Sequence, residues 1–242
     1  MTEHTVMING IEVRACYSEH AEKEIFLPLL SRLDALQKTR GRRILVMLAA
    51  PPGAGKSTLL SFLSRLSAGR IQAIGMDGFH RRQEYLKTHF VERDGRRISM
   101  VEIKGAPITF DLEKLTEKIR RVAAGDVCGW PAYDRMLHNP VENAVKVDSD
   151  LVVLEGNYLL LDEDGWRELR RYADFTVSVS ANEELLRERL IARRIKTGVE
   201  EEAAIRFVDF SDMPNVRLCR EKMLPADLQL FIDDAGEYHA LQ

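Results

Sequence analysis

The chain has 242 residues, enough for one α/β domain or one domain with a small appendage. Its 38 acidic and 35 basic side chains leave a net charge of −3, so no general excess of positive charge marks it as a nucleic-acid binder; 45% hydrophobic residues permit a sizeable core. Cys16, Cys128 and Cys219 show no metal-ligand spacing, the start Met-Thr-Glu-His has no signal-peptide pattern, and the apolar runs are too short to span a bilayer, so a reduced cytoplasmic setting is expected.

In chain order, residues 5–17 alternate around Asn9-Gly10, which predicts a hairpin with a tight turn. Ile25, Phe26, Leu29, Leu30, Leu33 and Leu36 then recur at helical spacing, with Pro28 implying a kink or a late start. The run Ile44–Ala50 is apolar throughout, as in a parallel strand buried on both faces, and leads through a Gly-rich loop into a helix over 59–66. A second strand over 71–76 ends in Asp77-Gly78, and a third over 151–154 ends in Glu155-Gly156. An amphipathic helix spans 111–124, and a fourth strand covers 175–179. Helices follow over 181–196 and 200–210, and residues 228–232 read as the last strand. Strands alternating with helices predict an α/β fold with a mostly parallel sheet and helices on both faces. Residues 1–40 form an N-terminal hairpin-and-helix appendage in this reading, and residues 41–242 the main domain, with a lid near 190–215.

The segment Ala50-Pro51-Pro52-Gly53-Ala54-Gly55-Lys56-Ser57-Thr58 follows the Walker A pattern, with alanine at the position of the first glycine. Glycines let backbone amides approach phosphate oxygens, and the helix N-terminus faces the anion. Pro52 to Thr58 are therefore expected to hold nucleotide phosphates, with Lys56 on the β and γ phosphates and Ser57 on Mg²⁺. The methyl of Ala50 matters only if that position needs positive φ.

Ligands of open α/β sheets lie beyond the carboxyl ends of the strands, where Asp77, Glu155 and the loop residue Asp134 all occur. Hydroxyl phosphorylation needs a carboxylate to take a proton and an acidic group near the metal. Asp77 and Glu155 can fill those roles, although Asp77 could equally cap its own turn. His80 and His138 flank the expected acceptor pocket, with Tyr133 and Arg135 beside Asp134, and Lys104 could bind an anionic group or point to solvent. Arg193 and Arg194, beside the Lys196-Thr197-Gly198 break, are lid candidates for the moving phosphoryl charge. Asn215 could contact adenine or end a helix.

The motifs MDGFHRR (76–82), IKGAPITFD (103–111), WPAYDR (130–135) and VVLEGNYLLL (152–161) occur in that order after the phosphate loop. The sequence thereby resembles the phosphoribulokinase, uridine kinase and bacterial pantothenate kinase superfamily, nearest the branch that includes fructose-transport kinase-like proteins. The resemblance implies a mononucleotide-kinase-like P-loop fold that uses ATP and Mg²⁺. It implies Asp77 as base, Glu155 as a metal-holding group, Lys104–Asp111 and Pro131–Asp134 as borders of the acceptor site, and a basic lid at Arg193 and Arg194. The expected function is an ATP-dependent kinase acting on a hydroxyl of a nucleoside, a pantothenate-like alcohol, a sugar or a sugar phosphate. The alternative is a nucleotide-binding regulator that keeps the fold without turning over an acceptor. A small molecule is the expected partner, with no nucleic acid or membrane, and a homodimer is left open.

Overall fold

The structure is a computed structural model that describes residues 1–8, 10–93 and 95–241. Strands β1 (Thr2–Ile8) and β2 (Ile11–Tyr17) form the N-terminal hairpin; Asn9 of its expected turn lies outside the described residues, and Gly10 has φ 80°. A π-helical turn over Ala21–Phe26 runs without a break into α1 (Leu27–Arg40), so Pro28 lies inside a continuous helix, just after the π-helical turn. Next come β3 (Ile44–Ala49), α2 (Lys56–Leu66) and β4 (Gln72–Gly75), and Met76–Phe79 form a single 3₁₀ turn after β4.

Between β4 and the next sheet strand lies an excursion. It comprises α3 (Gln83–Thr88), a hairpin of β5 (Phe90–Arg93) and β6 (Arg96–Ser99), α4 (Leu112–Ala123), and a second hairpin of β7 (Cys128–Asp134) and β8 (Asn139–Val147). The chain then returns through β9 (Leu151–Gly156), β10 (Phe175–Ala181), α5 (Glu183–Lys196), α6 (Glu201–Phe207), a π-helical turn over Val208–Asp212, α7 (Met213–Glu221), β11 (Leu228–Ile232) and β12 (Tyr238–Leu241).

The central sheet has the order β12-β11-β10-β3-β9-β4, parallel except for β12, which runs antiparallel to β11. Residues 228–232 are therefore not the last strand. The tail after them is short and carries few strand formers, so only pairing with β11 makes it one. Strand β3 shows why its sequence is apolar throughout. Ile44, Val46 and Leu48 enter one core cluster, and Leu45, Met47 and Ala49 the other, because alternate side chains point to opposite faces.

The first forty residues share the first of these cores. Tyr17, Phe26 and Leu33 pack with β3 side chains, and Tyr17 stacks on Phe62 of α2 at 4.1 Å between ring centroids. Phe26 meets Tyr238 of β12 edge-on at 5.3 Å, and His4 Nε2 lies 3.1 Å from Ser61 Oγ. Each aromatic pair contributes about 1 kcal/mol beyond its buried area. The hairpin, the first helix and the last strand thus close the same face of the sheet. Among the described residues no helix is long and apolar enough to cross a membrane.

Candidate active site

The phosphate loop leaves β3 at its carboxyl end. Ala50 is buried without positive φ, and its N–H donates to the Gly156 carbonyl (3.3 Å), so an alanine fits there without strain. Gly53 and Gly55 have φ 87° and 78°; Gly55 is the N-cap of α2. At Gly53 a side chain would also press on the backbone of α5: its Cβ would lie 3.0 Å from the Leu186 carbonyl oxygen. Pro52, Ala54 and Thr58 are buried supports, while Lys56 and Ser57 stand in the first turn of α2 and reach the end of β9.

There the parallel register sets Glu155 beside Leu48 of β3 and Gly75 of β4. Ser57 Oγ donates to Glu155 Oε1 (2.7 Å), and Lys56 Nζ lies 4.0 Å from Glu155 Oε2. Burial raises the Glu155 carboxyl above its ordinary range, with Asp77 adding to the effect, while Lys56 and the Ser57 hydroxyl oppose it. Ser57 and Glu155 are two hard oxygen donors meeting at a helix N-terminus. This set fits Mg²⁺, which keeps several waters and completes its shell from phosphates rather than from a protein cage. No cluster of three or more potential metal-binding side chains occurs among the described residues.

Asp77 lies in the 3₁₀ turn after β4. The turn is clamped from both sides. Trp130 Nε1 donates to the Gly75 carbonyl (2.8 Å), and a Cβ on Gly78 would sit 2.1 Å from the Pro131 carbonyl oxygen. Only glycine lets this turn lie flat against β7. The Asp77 carboxylate makes no hydrogen bond or ion pair among the described residues, so it does not cap its own turn. Its charge is felt by Glu155, His80, Tyr133 and Arg193, which places it at the centre of the candidate site.

The acceptor-side residues divide into those that face this centre and those that support it. His80 stacks on Phe110 at 4.0 Å and meets Tyr133 edge-on; its Nδ1 is buried with no hydrogen-bond partner among the described residues. Burial pushes the His80 imidazole down to about 4, so it is neutral near pH 7. Lys104 Nζ donates to Tyr133 Oη (2.6 Å), Gln83 Oε1 (2.9 Å) and the His138 carbonyl (3.1 Å). It therefore does not point freely to solvent. His138 has φ 52°, exposes its ring and contributes its backbone instead.

Asp134 is not a loop residue. It ends β7, and its Oδ1 accepts from the Met136 and Leu137 amides (2.8 and 2.9 Å), which spends that oxygen on the hairpin turn. Arg135 is exposed in the same turn, and its charge is felt by Tyr133, His80 and Arg193.

Of the two lid arginines, Arg194 is bound to Asp212 (3.1 Å) and lies 3.5 Å from the Phe207 ring centroid. Arg193 is exposed. Surrounding protein lowers its pKa, and Asp212 and Asp77 oppose that effect. The two neighbours thus differ: Arg194 braces α5 against the π-helical turn, whereas Arg193 is exposed and within electrostatic reach of Asp77. Asn215 is not at a helix end. It is buried in α7, donates to the Ser211 carbonyl (2.9 Å), and faces Gly105 in the acceptor segment. The sequence reading missed α3 and both excursion hairpins. Gln83, the amide that helps hold Lys104, went unnoticed because a single glutamine carries no motif.

Residues 45–228 match the model of the Phosphoribulokinase / Uridine kinase family. The chain belongs to this family. As a family member it is a P-loop kinase with the phosphotransferase fold anticipated from its motifs. It is 41% identical over 238 residues to YggC, an uncharacterised protein of Escherichia coli K12, with 96% of each chain covered. It is 28% identical over 201 residues to a protein of Schizosaccharomyces pombe provisionally named a uridine kinase, covering 78% of this chain and 83% of that one. A crystal structure from Silicibacter sp. TM1040, provisionally named a fructose transport system kinase, superposes with a TM-score of 0.70 at 30% identity, covering 81% of this chain and 98% of that one.

Proposed function

We propose that this protein transfers the γ-phosphoryl group of ATP to a hydroxyl of a small molecule, with Mg²⁺ held by Ser57 and Glu155. The observation that carries the reading is the Asp77 carboxylate. Its turn is held by the close Gly78 approach to β7, it has no hydrogen bond or ion pair among the described residues, and its charge acts on Glu155. A carboxylate held this way without a bond of its own is suited to a proton that arrives with a substrate.

In this mechanism the loop amides and Lys56 hold the β and γ phosphates, and Arg193 meets the charge that spreads over the transferring group. Bound Mg²⁺ would neutralise phosphate charge. Tyr133 and His80 wall the acceptor side and exclude water from it. The acceptor oxygen forms a bond to the γ-phosphorus while the bond from that phosphorus to the β–γ bridging oxygen breaks. ADP leaves with the bonding electron pair, and the acceptor's proton passes to Asp77. The names carried by the yeast and bacterial relatives support a small alcohol as acceptor.

The test is an ADP-release assay over nucleosides, pantothenate, sugars and sugar phosphates, run beside a direct measurement of ATP binding. ADP release that depends on one acceptor class and yields its phosphate ester is the expected result. Tight ATP binding with no acceptor consumed would instead favour a nucleotide-binding regulator.

A further inference from the structure

We propose that a cleft at the amino end of the central sheet is a second anion site, which takes a small phosphorylated molecule by its phosphate group. The cleft lies at the starts of β10 and β11, next to the start of β3, whereas the phosphate loop leaves the far end of β3. The six residues of β3 put about 20 Å between the two, at about 3.3 Å per residue. The cleft has a volume of about 420 Å³ and is lined by Arg170, Arg171, Ala173, Asp174, Thr176 and Asp227. Arg170 and Arg171 come from the 3₁₀ segment Arg167–Tyr172, which is anchored by its buried Leu169. Such a site needs no acceptor chemistry and stands apart from the kinase reading.

Two aspartates fix the floor of the cleft. Asp174 accepts from the Leu45 amide (3.1 Å), and Arg42 grips it with both Nη atoms (3.1 and 2.5 Å). Asp227 Oδ2 accepts from the amide and the hydroxyl of Thr176 (2.8 and 2.7 Å), and the Asp227 amide donates back to that hydroxyl oxygen (3.0 Å). Thr176 is buried, and only 6% of the Asp174 side chain is exposed. Both carboxylates are thus committed to the strand starts, which they tie together.

The arginines around this floor are held far less firmly. Arg40 and Arg170 reach the same two aspartates only at 3.9 and 4.0 Å, too far for a hydrogen bond. Arg171 meets no carboxylate among the described residues; it donates to Tyr172 Oη (2.7 Å) and lies 4.8 Å from that ring's centroid. A guanidinium carries five N–H donors in a planar fork, so Arg40, Arg170 and Arg171 keep most of theirs for a ligand. Arg40, Arg42, Arg170 and Arg171 also outnumber Asp174 and Asp227 by four to two. A phosphate monoester, close to a dianion at pH 7, offsets that difference, whereas a carboxylate offsets half of it. Guanidinium forks match phosphate oxygens, and such charge-assisted bonds are the strong ones.

The test keeps the phosphate loop occupied by Mg²⁺ and a non-hydrolysable ATP analogue. The full chain is then titrated with phenyl phosphate, which has no alcohol to phosphorylate, and with inorganic phosphate. Benzoate and chloride at equal ionic strength are the controls. Binding is read by calorimetry and by the rise in melting temperature. Saturable binding of both phosphates, with the controls at least about 10-fold weaker, is the expected result. The double variant Arg170→Gln, Arg171→Gln should weaken phenyl phosphate by about 10- to 100-fold and leave the affinity for the ATP analogue unchanged. Arg171→Lys keeps the charge without the fork and should retain part of the affinity.

Phosphate binding no stronger than that of benzoate would overturn the inference, since the arginines would then be an ordinary solvated face. So would phosphate binding that survives the double variant, because the anion would then sit elsewhere. If the double variant does not fold, Arg171→Gln alone decides, as Arg171 bonds only its neighbour Tyr172 among the described residues. A loss of about 10-fold there supports the site, and an unchanged affinity overturns it. None of these results touches the kinase reading, and a failure to find an acceptor leaves this site as it is.

Discussion

The two halves of the candidate site are finished to different degrees. On the nucleotide side the polar groups already bond one another: Ser57 to Glu155, Lys56 near Glu155, and the Ala50 amide to Gly156. On the acceptor side Lys104 bonds Tyr133, Gln83 and the His138 carbonyl, but the remaining polar groups are not paired in this way. Among the described residues Asp77 has no bond and His80 Nδ1 is buried with no hydrogen-bond partner, and Lys104 carries a charge among neutral acceptors. The nucleotide half needs only backbone amides, a helix end and a few side chains, and it serves any acceptor. The unspent groups of the other half are where one substrate would be distinguished from another, since unsatisfied buried polar groups reject ligands that cannot complete them.

The sharpest way to break this contrast is Asp77→Asn. It keeps the shape and removes the base, so kcat should fall by about 10³-fold while ATP affinity changes little. Calorimetric ATP titration with single-turnover kinetics checks both halves at once, and an equal loss of ATP binding would show that the halves are not separable. Gly78→Ala attacks the clamp that positions Asp77. The new Cβ meets Pro131 backbone, which cannot move like a side-chain tip, so about 3 kcal/mol of stability should be lost in urea unfolding.

The lid offers a comparison between neighbours. Arg193→Ala should lower kcat by about 10²-fold with little effect on stability. Arg194→Ala should instead lower the melting temperature, because it removes the Asp212 pair and the Phe207 contact. Matching kinetic and thermal losses in the two variants would erase the distinction.

A pH-dependent effect comes from His80. Its folded-state pKa of about 4 lies below the unfolded value of 6.5, so the unfolded chain binds more protons between those limits. Stability is therefore fully present above pH 6.5 and declines as pH falls toward 4, by about 3 kcal/mol. Denaturant midpoints measured across this range should fall in wild type and flatten in His80→Gln.

Much of the nucleotide half was legible in the residue order. A phosphate loop is local: strand, glycines, lysine and helix are consecutive, and hydrophobic periodicity identifies the flanking elements. Asp77 and Glu155 could be picked out because each closes an apolar strand and ligands gather at such ends. The hairpins of the excursion were not legible. Residues 128–134 begin with Cys-Gly-Trp-Pro and show no clean alternation, and only pairing with β8, through an irregularity between Trp130 and Ala132, makes them a strand. The unlike roles of Arg193 and Arg194 were equally hidden, because adjacent residues on a helix point in different directions and composition cannot say which one meets Asp212.

The sequence by itself determined the phosphate loop, the parallel α/β class and the carboxylates at the strand ends, since each depends on neighbours in the chain. Tertiary structure alone decided that the first forty residues join the main core, that Asp77 has no hydrogen bond or ion pair among the described residues, and that Lys104 is held by Gln83, Tyr133 and His138. Those outcomes depend on which distant groups pack within hydrogen-bond reach. The energy of a polar side chain is set by the partners it meets there, not by the residues beside it in the chain.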